Sequence, residues 1–323
     1  MSISQEEHRL LYRVAQAYYQ DGLTQREIGL RFGLSRPKIS RLLQKARDER
    51  VVNITLVPPT GGLADMERDL ESRFGLTEVV LVTVTDPEDP ESITRELGPA
   101  AAEALVRSIH GDEIIGMSWG ASVMGVVDAL PALSMPELTI VQIMGGLGPA
   151  DADEHSTELA RRMAQKFNAR LRLLPSPGVV STREAARTLR AEPAIAQTLI
   201  LAEQAETAIV GLGVPDSYYL SRSTLLGPED RAQLEREGAV GDIALRYIDA
   251  EGVPLDLDIN ERTVGLTLEQ IRAIPRVIGV AGGTRKIAMI QAALRGQWID
   301  VLVTDHYTAD VLLQTTSFDD IAE

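Results

Sequence analysis

From Leu63 onward the chain alternates short aliphatic runs with helical segments, and this alternation restricts the fold more than any other feature. The runs cover 78–84, 113–117, 139–144, 170–174, 207–211, 276–281 and 300–304, with helical periodicity over 91–108, 121–130, 154–167, 194–205, 285–295 and 306–314. Strands that are apolar on both faces need helices on both sides. The expected fold class is therefore α/β, a doubly wound and mainly parallel sheet, with ligands bound beyond the C-terminal ends of its strands.

The first 57 residues follow a different pattern. Leu10, Leu11, Val14, Ala15, Ala17 and Tyr18 recur at helical spacing, and Asp21-Gly22 ends the run. Thr24 followed by Glu27 three residues later is a capping box, and Gly33 breaks the helix it starts. Ser35 then caps a third helix, with Pro37 in its first turn, where a missing N–H costs nothing. Short helices around a glycine turn, small Gly29 at their contact, and Ile39 and Leu43 facing inward give helix-turn-helix spacing. The outward face of the third helix carries Arg36, Lys38, Ser40 and Arg41, side chains able to reach base edges and phosphates. An ordinary solvated helical cap would share the charge but not the whole set of signals. Val51–Val57 alternates like a short strand or wing, and Pro58-Pro59-Thr60-Gly61-Gly62 reads as a linker. The expected division is residues 1–57, a helix-turn-helix domain, a linker at 58–62, and 63–323, a ligand-binding and oligomerisation domain. Leu63, Met66, Leu70 and Phe74 then form a helical stripe, either a core face or a helix pairing with a second subunit.

The charge divides at the same place. The chain carries −15 overall, yet residues 1–56 are +4 and the remainder −19. A small basic head on a large acidic body suggests two parts with different partners. With no cysteine there is no disulfide scaffold, thiolate nucleophile or zinc finger, and a reducing cytoplasm fits. Neither a basic leader running into an apolar segment nor a long apolar stretch appears, so the expectation is a protein neither exported nor membrane-spanning.

Glycines cluster at the strand ends: Gly116-Met-Ser118-Trp119-Gly120-Ala121-Ser122, Gly145-Gly146-Leu-Gly148, Gly211-Leu-Gly213 and Gly282-Gly283-Thr-Arg-Lys286. A Gly/Ser turn running into a helix exposes backbone N–H groups at the positive end of the helix dipole and can hold a phosphate or carboxylate. None matches G-x-G-x-x-G or G-x-x-x-x-G-K-[ST], which disfavours dinucleotide and P-loop triphosphate binding. Lys286 is one of only four lysines, and a cation at a helix start opposes the dipole unless an anion is present. Other chemistry is thin. His8, His110, His155 and His306 have no paired-ligand spacing, and Asp151-Ala-Asp153-Glu154-His155 fits acids at a helix start better than a metal site. Asp256 and Asp258 share one face of an expected strand, more as solvated or turn-capping groups than as a catalytic pair. Asp242 stands at an expected strand entry in Gly238–Ile243, where a turn is the plain explanation.

Taken in order, these residues resemble the SorC family of bacterial transcriptional regulators over nearly the whole chain. The head resembles that family in Leu23-Thr24-Gln25, Ser35-Arg-Pro37-Lys-Ile-Ser-Arg-Leu-Leu43 and Ala46-Arg47. The body does so in Gly116–Gly120, Gly145-Gly146, Val240-Gly-Asp242, Gly279–Gly283 with Lys286, and Leu302-Val-Thr-Asp305. The resemblance implies an effector domain similar to sugar-phosphate isomerases and glucosamine-6-phosphate deaminase, with a phosphorylated sugar or polyol as effector. It implies a phosphate held by the Gly116–Ser122 turn with Lys286, and hydroxyls read by Asp242 and neighbouring loops. It also brings Thr24, Gln25 and Pro37 into the set expected at DNA. Two departures stand out. Gly211-Leu-Gly213 continues into Val214-Pro215-Asp216, without the Asp-Gly-His of the deaminases, and Ala244-Leu245 follows Gly-Asp-Ile where a glycine is common.

The expected function is thus a DNA-binding regulator, not an enzyme, with no catalytic residues, metal or cofactor. It would bind double-stranded operator DNA and a sugar-phosphate effector as a homo-oligomer, a tetramer by resemblance. The alternatives are a sugar-phosphate isomerase or deaminase-like enzyme with an appended helical domain, and a helix-turn-helix adaptor that binds protein.

Overall fold

The computed structural model describes residues 5–54, 62–146, 150–215 and 226–314, and the chain divides into two compact units, Met1–Thr60 and Gly61–Glu323. In the first, α1 (Gln5–Tyr19), α2 (Gln25–Phe32) and α3 (Arg36–Asp48) enclose Val14, Ala17, Ile28, Ile39 and Leu43. The capping box is formed: Thr24 N donates to Glu27 Oε2 at 2.8 Å, and Glu27 N donates to Thr24 Oγ1 at 3.3 Å. Gly33 closes α2 at φ +67°. Gly29 packs so tightly that a Cβ there would lie 2.6 Å from the Leu34 carbonyl oxygen. Ser35 has the extended backbone of an N-cap, but its side chain makes no capping bond. The expected wing is absent where it can be seen. Val51–Ile54 form no strand, because Val51 and Val52 pack against Leu11, Ala15 and Ala46 instead of pairing with a neighbour. Residues 55–57 and most of the linker, 58–61, lie outside the described residues.

The second unit is built on β1 (Glu78–Val82), β2 (Ile114–Met117), β3 (Thr139–Gln142), β4 (Arg170–Arg172), β5 (Thr207–Gly213), β8 (Arg276–Val280) and β9 (Val301–Asp305). They form one sheet in the order β1-β9-β8-β5-β2-β3-β4, every neighbouring pair parallel. Strand ends differ from expectation by one or two residues. From β2 the chain moves outward to β3, and from β5 it moves the other way to β8, so the boundary between β2 and β5 is a topological switch point.

Helices α4 (Leu63–Phe74), α5 (Pro90–Ser108), α6 (Ala121–Ala129), α7 (Ala150–Phe167), α8 (Arg183–Ala191) and α9 (Pro193–Glu203) are followed by α10 (Pro228–Arg236), α11 (Asp258–Arg262), α12 (Leu268–Arg272), α13 (Ile287–Arg295) and α14 (His306–Gln314). Two apolar clusters line the two faces of the sheet. Leu70 is fully buried, and Leu63, Met66 and Phe74 pack on the same cluster, which makes that stripe a core face. Glu67 and Glu71 of α4 accept from Leu81 N and Val79 N, satisfying the outer edge of β1. Asp256 and Asp258 do not lie on a strand. Asp258 begins α11 and pairs with Arg183 and Arg262, so its carboxylate organises helices.

One hairpin lies off the parallel sheet. Strands β6 (Gly241–Ile243) and β7 (Arg246–Ile248) pair antiparallel, and β6 pairs with the end of β5 through Leu212↔Ile243 and Gly213↔Asp242. Its turn residues, Ala244 at φ +51° and Leu245 at φ +64°, are left-handed without being glycine. That costs about 1–2 kcal/mol per residue. The conformation is held from both ends: Asp242 Oδ2 accepts from Leu245 N at 2.9 Å, and buried Arg246 donates to the carbonyls of Asn260, Thr263, Gly265 and Leu266.

Candidate functional site

A cavity of about 200 Å³ opens at the switch point. Its walls are the loops after four strands: Ser118–Gly120 after β2 with the first turn of α6, Gly211–Val214 at the end of β5, Gly282 to Lys286 after β8, and Pro87 to Thr94 after β1. Met144, Asp242, Ala244 and Leu245 complete it. The loop after β1 comes close because α5 and α6 pack through glycines. A Cβ on Gly98 would lie 2.4 Å from the Gly125 carbonyl oxygen, and one on Gly125 would lie 2.5 Å from that of Thr94.

Ser118 ties β2 to β5, its N donating to Ile209 O at 3.0 Å and its Oγ accepting from Gly211 N at 3.2 Å. The hydroxyl proton is then available to another partner. Gly120 at φ +131° turns the chain into α6 and has no side chain with which to cap it. The amides of that first turn have no acceptors within the helix. Lys286 ends a single 3₁₀ turn, Thr284–Lys286, and its Nζ donates to Ser122 Oγ at 3.2 Å. Burial pulls the ammonium down to about 8, while the Asp242 carboxylate works the other way. Asp242 is pushed up to about 6 by burial, against the Leu245 N–H bond and the Lys286 charge. One of its oxygens, Oδ1, is buried without a hydrogen-bond partner. The site therefore offers an ammonium and helix amides to an anion, and a carboxylate oxygen to a donor.

Of the residues expected at the effector, Ser118, Trp119, Gly120, Ala121, Ser122, Gly213, Asp242 and Lys286 line this cavity. Gly116, Gly145 and Gly146 do not, and their glycines answer to packing. A Cβ on Gly116 would lie 2.7 Å from Ile143 Cγ2, and one on Gly145 would lie 2.5 Å from the Ser176 and Pro177 carbonyl oxygens. Gly145 O accepts from Trp119 Nε1 at 2.8 Å, and Gly146 exchanges backbone bonds with Ser176 and Gly178. Gly145 stands behind the wall and holds Trp119 in it. Gly148, Asp216 and the side chains of Asp151–His155 lie outside what is described.

Two contributions escaped the sequence reading. Arg285, beside Lys286, lines the cavity with a second basic side chain. Asp305, fully buried at the end of β9, accepts from Gly283 N at 2.7 Å and from both Thr308 N and Thr308 Oγ1. It fixes the Gly282-Gly283 loop, where a Cβ on Gly282 would meet Asp305 Oδ2 at 2.5 Å. The signal was present in Leu302-Val-Thr-Asp305, but only the sheet order brings β9 beside β8. Among the described residues no group of His, Asp and Glu could hold a metal ion, and no helix is long and apolar enough to cross a membrane.

In the first unit, Arg36, Pro37, Lys38, Ser40 and Arg41 are exposed on α3, Thr24 is exposed and Gln25 half-buried at the start of α2. Arg31 and Lys45 are paired with Asp21 and Glu7. Arg36, Lys38 and Arg41 make no ion pair among the described residues, which leaves their charge for a partner.

The family described as "Putative sugar-binding domain" matches residues 58–314. The chain is 32% identical over 312 residues to the deoxyribonucleoside regulator of Bacillus subtilis (strain 168), covering 96% of this chain and 99% of that protein. It is also 32% identical over 316 residues to the transcriptional regulator LsrR of Klebsiella pneumoniae subsp. pneumoniae, covering 96% of this chain and 94% of that one. Among solved structures, the full-length sorbitol operon regulator SorC from Klebsiella pneumoniae superposes with a TM-score of 0.71 at 27% identity, covering 97% of this chain and 100% of that one.

Proposed function

The chain belongs to the SorC-type family of sugar-binding transcriptional regulators, and from that premise we propose that a phosphorylated sugar or polyol seated in the cavity controls its grip on operator DNA. It is a regulator and not an enzyme, since the relatives aligned over 96% of its length are regulators. The relatives named for deoxyribonucleosides and for a sorbitol operon are consistent with a sugar or polyol effector.

One observation carries the phosphate assignment: Lys286, its ammonium disfavoured by burial, stands beside the uncapped start of α6 and donates to the Ser122 hydroxyl, its one hydrogen-bond partner among the described residues. An anion there gains the ammonium, the helix amides and the dipole together. Gly120, Ala121 and Ser122 seat the phosphate with Lys286. Ser118 donates from the adjoining turn, Asp242 accepts from sugar hydroxyls, and Trp119 and Gly213 shape the wall.

Operator contact falls to Arg36, Lys38, Ser40 and Arg41 on α3, with Thr24, Gln25 and Pro37 at the helix starts. A head of net +4 on a body of net −19 holds DNA weakly alone. We therefore read the active species as a symmetric oligomer, a tetramer, in which several heads add avidity. Light scattering at micromolar concentration checks this, and a monomer refutes it. To alter DNA binding the effector must favour one arrangement of subunits over another, by its difference in affinity for the two.

Lys286→Met tests the effector site. The variant is expected to keep operator affinity and to lose about 1.5–3 kcal/mol of affinity for the phosphorylated effector, the size of a charge-assisted hydrogen bond. A panel of sugar phosphates screened by thermal shift supplies the ligand, and calorimetry supplies the comparison. Equal binding by variant and wild type removes Lys286 from the site.

A further inference from the structure

The β6–β7 turn is at odds with its own backbone. A two-residue hairpin turn with positive φ at both positions favours glycine, asparagine and aspartate, yet Ala244 and Leu245 stand at φ +51° and φ +64°. Both side chains are buried, and both residues line the cavity beside Asp242. Leu245 Cδ1 fills the space next to Gly178, where an added Cβ would be only 2.8 Å away. Glycine at 244 would relax the backbone and open the wall in one step. A strained conformation held firmly by its surroundings is a reason to ask what its side chains do for the site. The cavity is about 200 Å³ in volume.

We infer that Ala244 and Leu245 act as a size stop, so that the cavity takes a phosphorylated sugar of pentose length or shorter and excludes a hexose phosphate. This rests on reading the cavity as a sugar-phosphate site. The turn touches Asp242 directly, Leu245 N donating to its Oδ2 at 2.9 Å, so a carbon chain that reaches past Asp242 on that side meets Ala244 and Leu245, which already line the cavity there. A wall of side chains in fixed rotamers gives way poorly, and one surplus carbon is typically worth about ten- to two-hundredfold in discrimination.

Calorimetric titration of the full chain with ribose 5-phosphate, allose 6-phosphate and inorganic phosphate tests this, because the two sugars continue one hydroxyl configuration and differ in length. Wild type is expected to bind the ribose compound at least about tenfold more tightly than the allose compound. Ala244→Gly should narrow the ratio about fivefold or more through gained allose 6-phosphate binding, and melt no lower than wild type. Leu245→Ala, which loses core packing, should shift the ratio the same way at a lower melting temperature. Equal binding of the two sugars by wild type, or a ratio unmoved in both variants, overturns the size stop. Failure of wild type to bind either ribose 5-phosphate or inorganic phosphate is a different result, which removes the sugar-phosphate reading and the size stop with it.

Discussion

The two units solve opposite problems. The head carries the residues proposed to meet DNA on its outside: Arg36, Lys38, Ser40 and Arg41 are exposed, and its core is a few aliphatic side chains around Ile28, Ile39 and Leu43. The body carries the residues proposed to meet the effector inside, where Asp242 is 6% exposed and Lys286 is close enough to feel its charge. Exposed charge near DNA is inexpensive to hold and acts in bulk solvent, whereas buried charge shifts its own proton equilibrium and is costly until a ligand arrives. Substitutions in the head should therefore change DNA binding or the small fold itself, and substitutions in the cavity should change pH response and effector binding.

Gly29→Val should have the largest effect. Its side chain would collide with the Leu34 carbonyl, and neither backbone can yield without parting α2 from α3. Overpacking of this kind costs about 3 kcal/mol or more in a unit too small to absorb it. The expected outcome is loss of operator binding and of the head's own melting, with effector affinity unchanged. A variant that still binds DNA normally would break the comparison at its first point.

Asp242→Asn comes next. Because burial raises the carboxyl to about 6 from 3.8, the native state keeps a proton that the unfolded chain releases between those values. Wild-type stability should thus fall as pH rises from about 4 to about 6, by up to about 3 kcal/mol from this group. The asparagine variant should lack that component, read as a flatter dependence of the urea midpoint on pH. An unchanged profile would mean that the carboxyl is solvated in the native protein.

Arg36→Ala and Arg41→Ala should each cost about 1–3 kcal/mol of operator affinity where a base contact is lost, with the melting curve intact. A uniform loss on all DNA sequences would reassign the residue to phosphate. Thr24→Ala should give the smallest change, about 1 kcal/mol from the capping box, seen in the melting of the head. No change in the cavity's ligand affinity should accompany it.

Much of this was legible along the chain because its causes are local. The capping box needs only Thr24 and Glu27, the stop at Gly33 needs only a positive φ, and the alternation of apolar runs with helices needs only the side-chain period of each segment. Those short-range rules also located the glycine loops at the strand ends, and of the eleven residues that these loops and the family resemblance together place at the effector, eight line the cavity. What they could not assign was which loops become neighbours. Gly145 and Gly146 follow a strand like the others, but β3 lies one place beyond the switch point, so neither lines the cavity and Gly145 holds Trp119 from behind. Asp305 is distant in sequence from Gly283 and reaches it because β8 and β9 are adjacent. The stripe on α4 could by its spacing have faced a core or a second subunit, and only the tertiary structure shows it docked on this unit's own core. Ala244 and Leu245 give no local sign of left-handed backbone, since neither residue favours it. Their conformation is imposed by β6 pairing with β5, by Asp242 gripping Leu245 N, and by Arg246 buried among carbonyls. Periods, caps and turns are fixed by residues a few positions apart. Cavity walls are fixed by strand order and long-range pairing, which no single segment encodes.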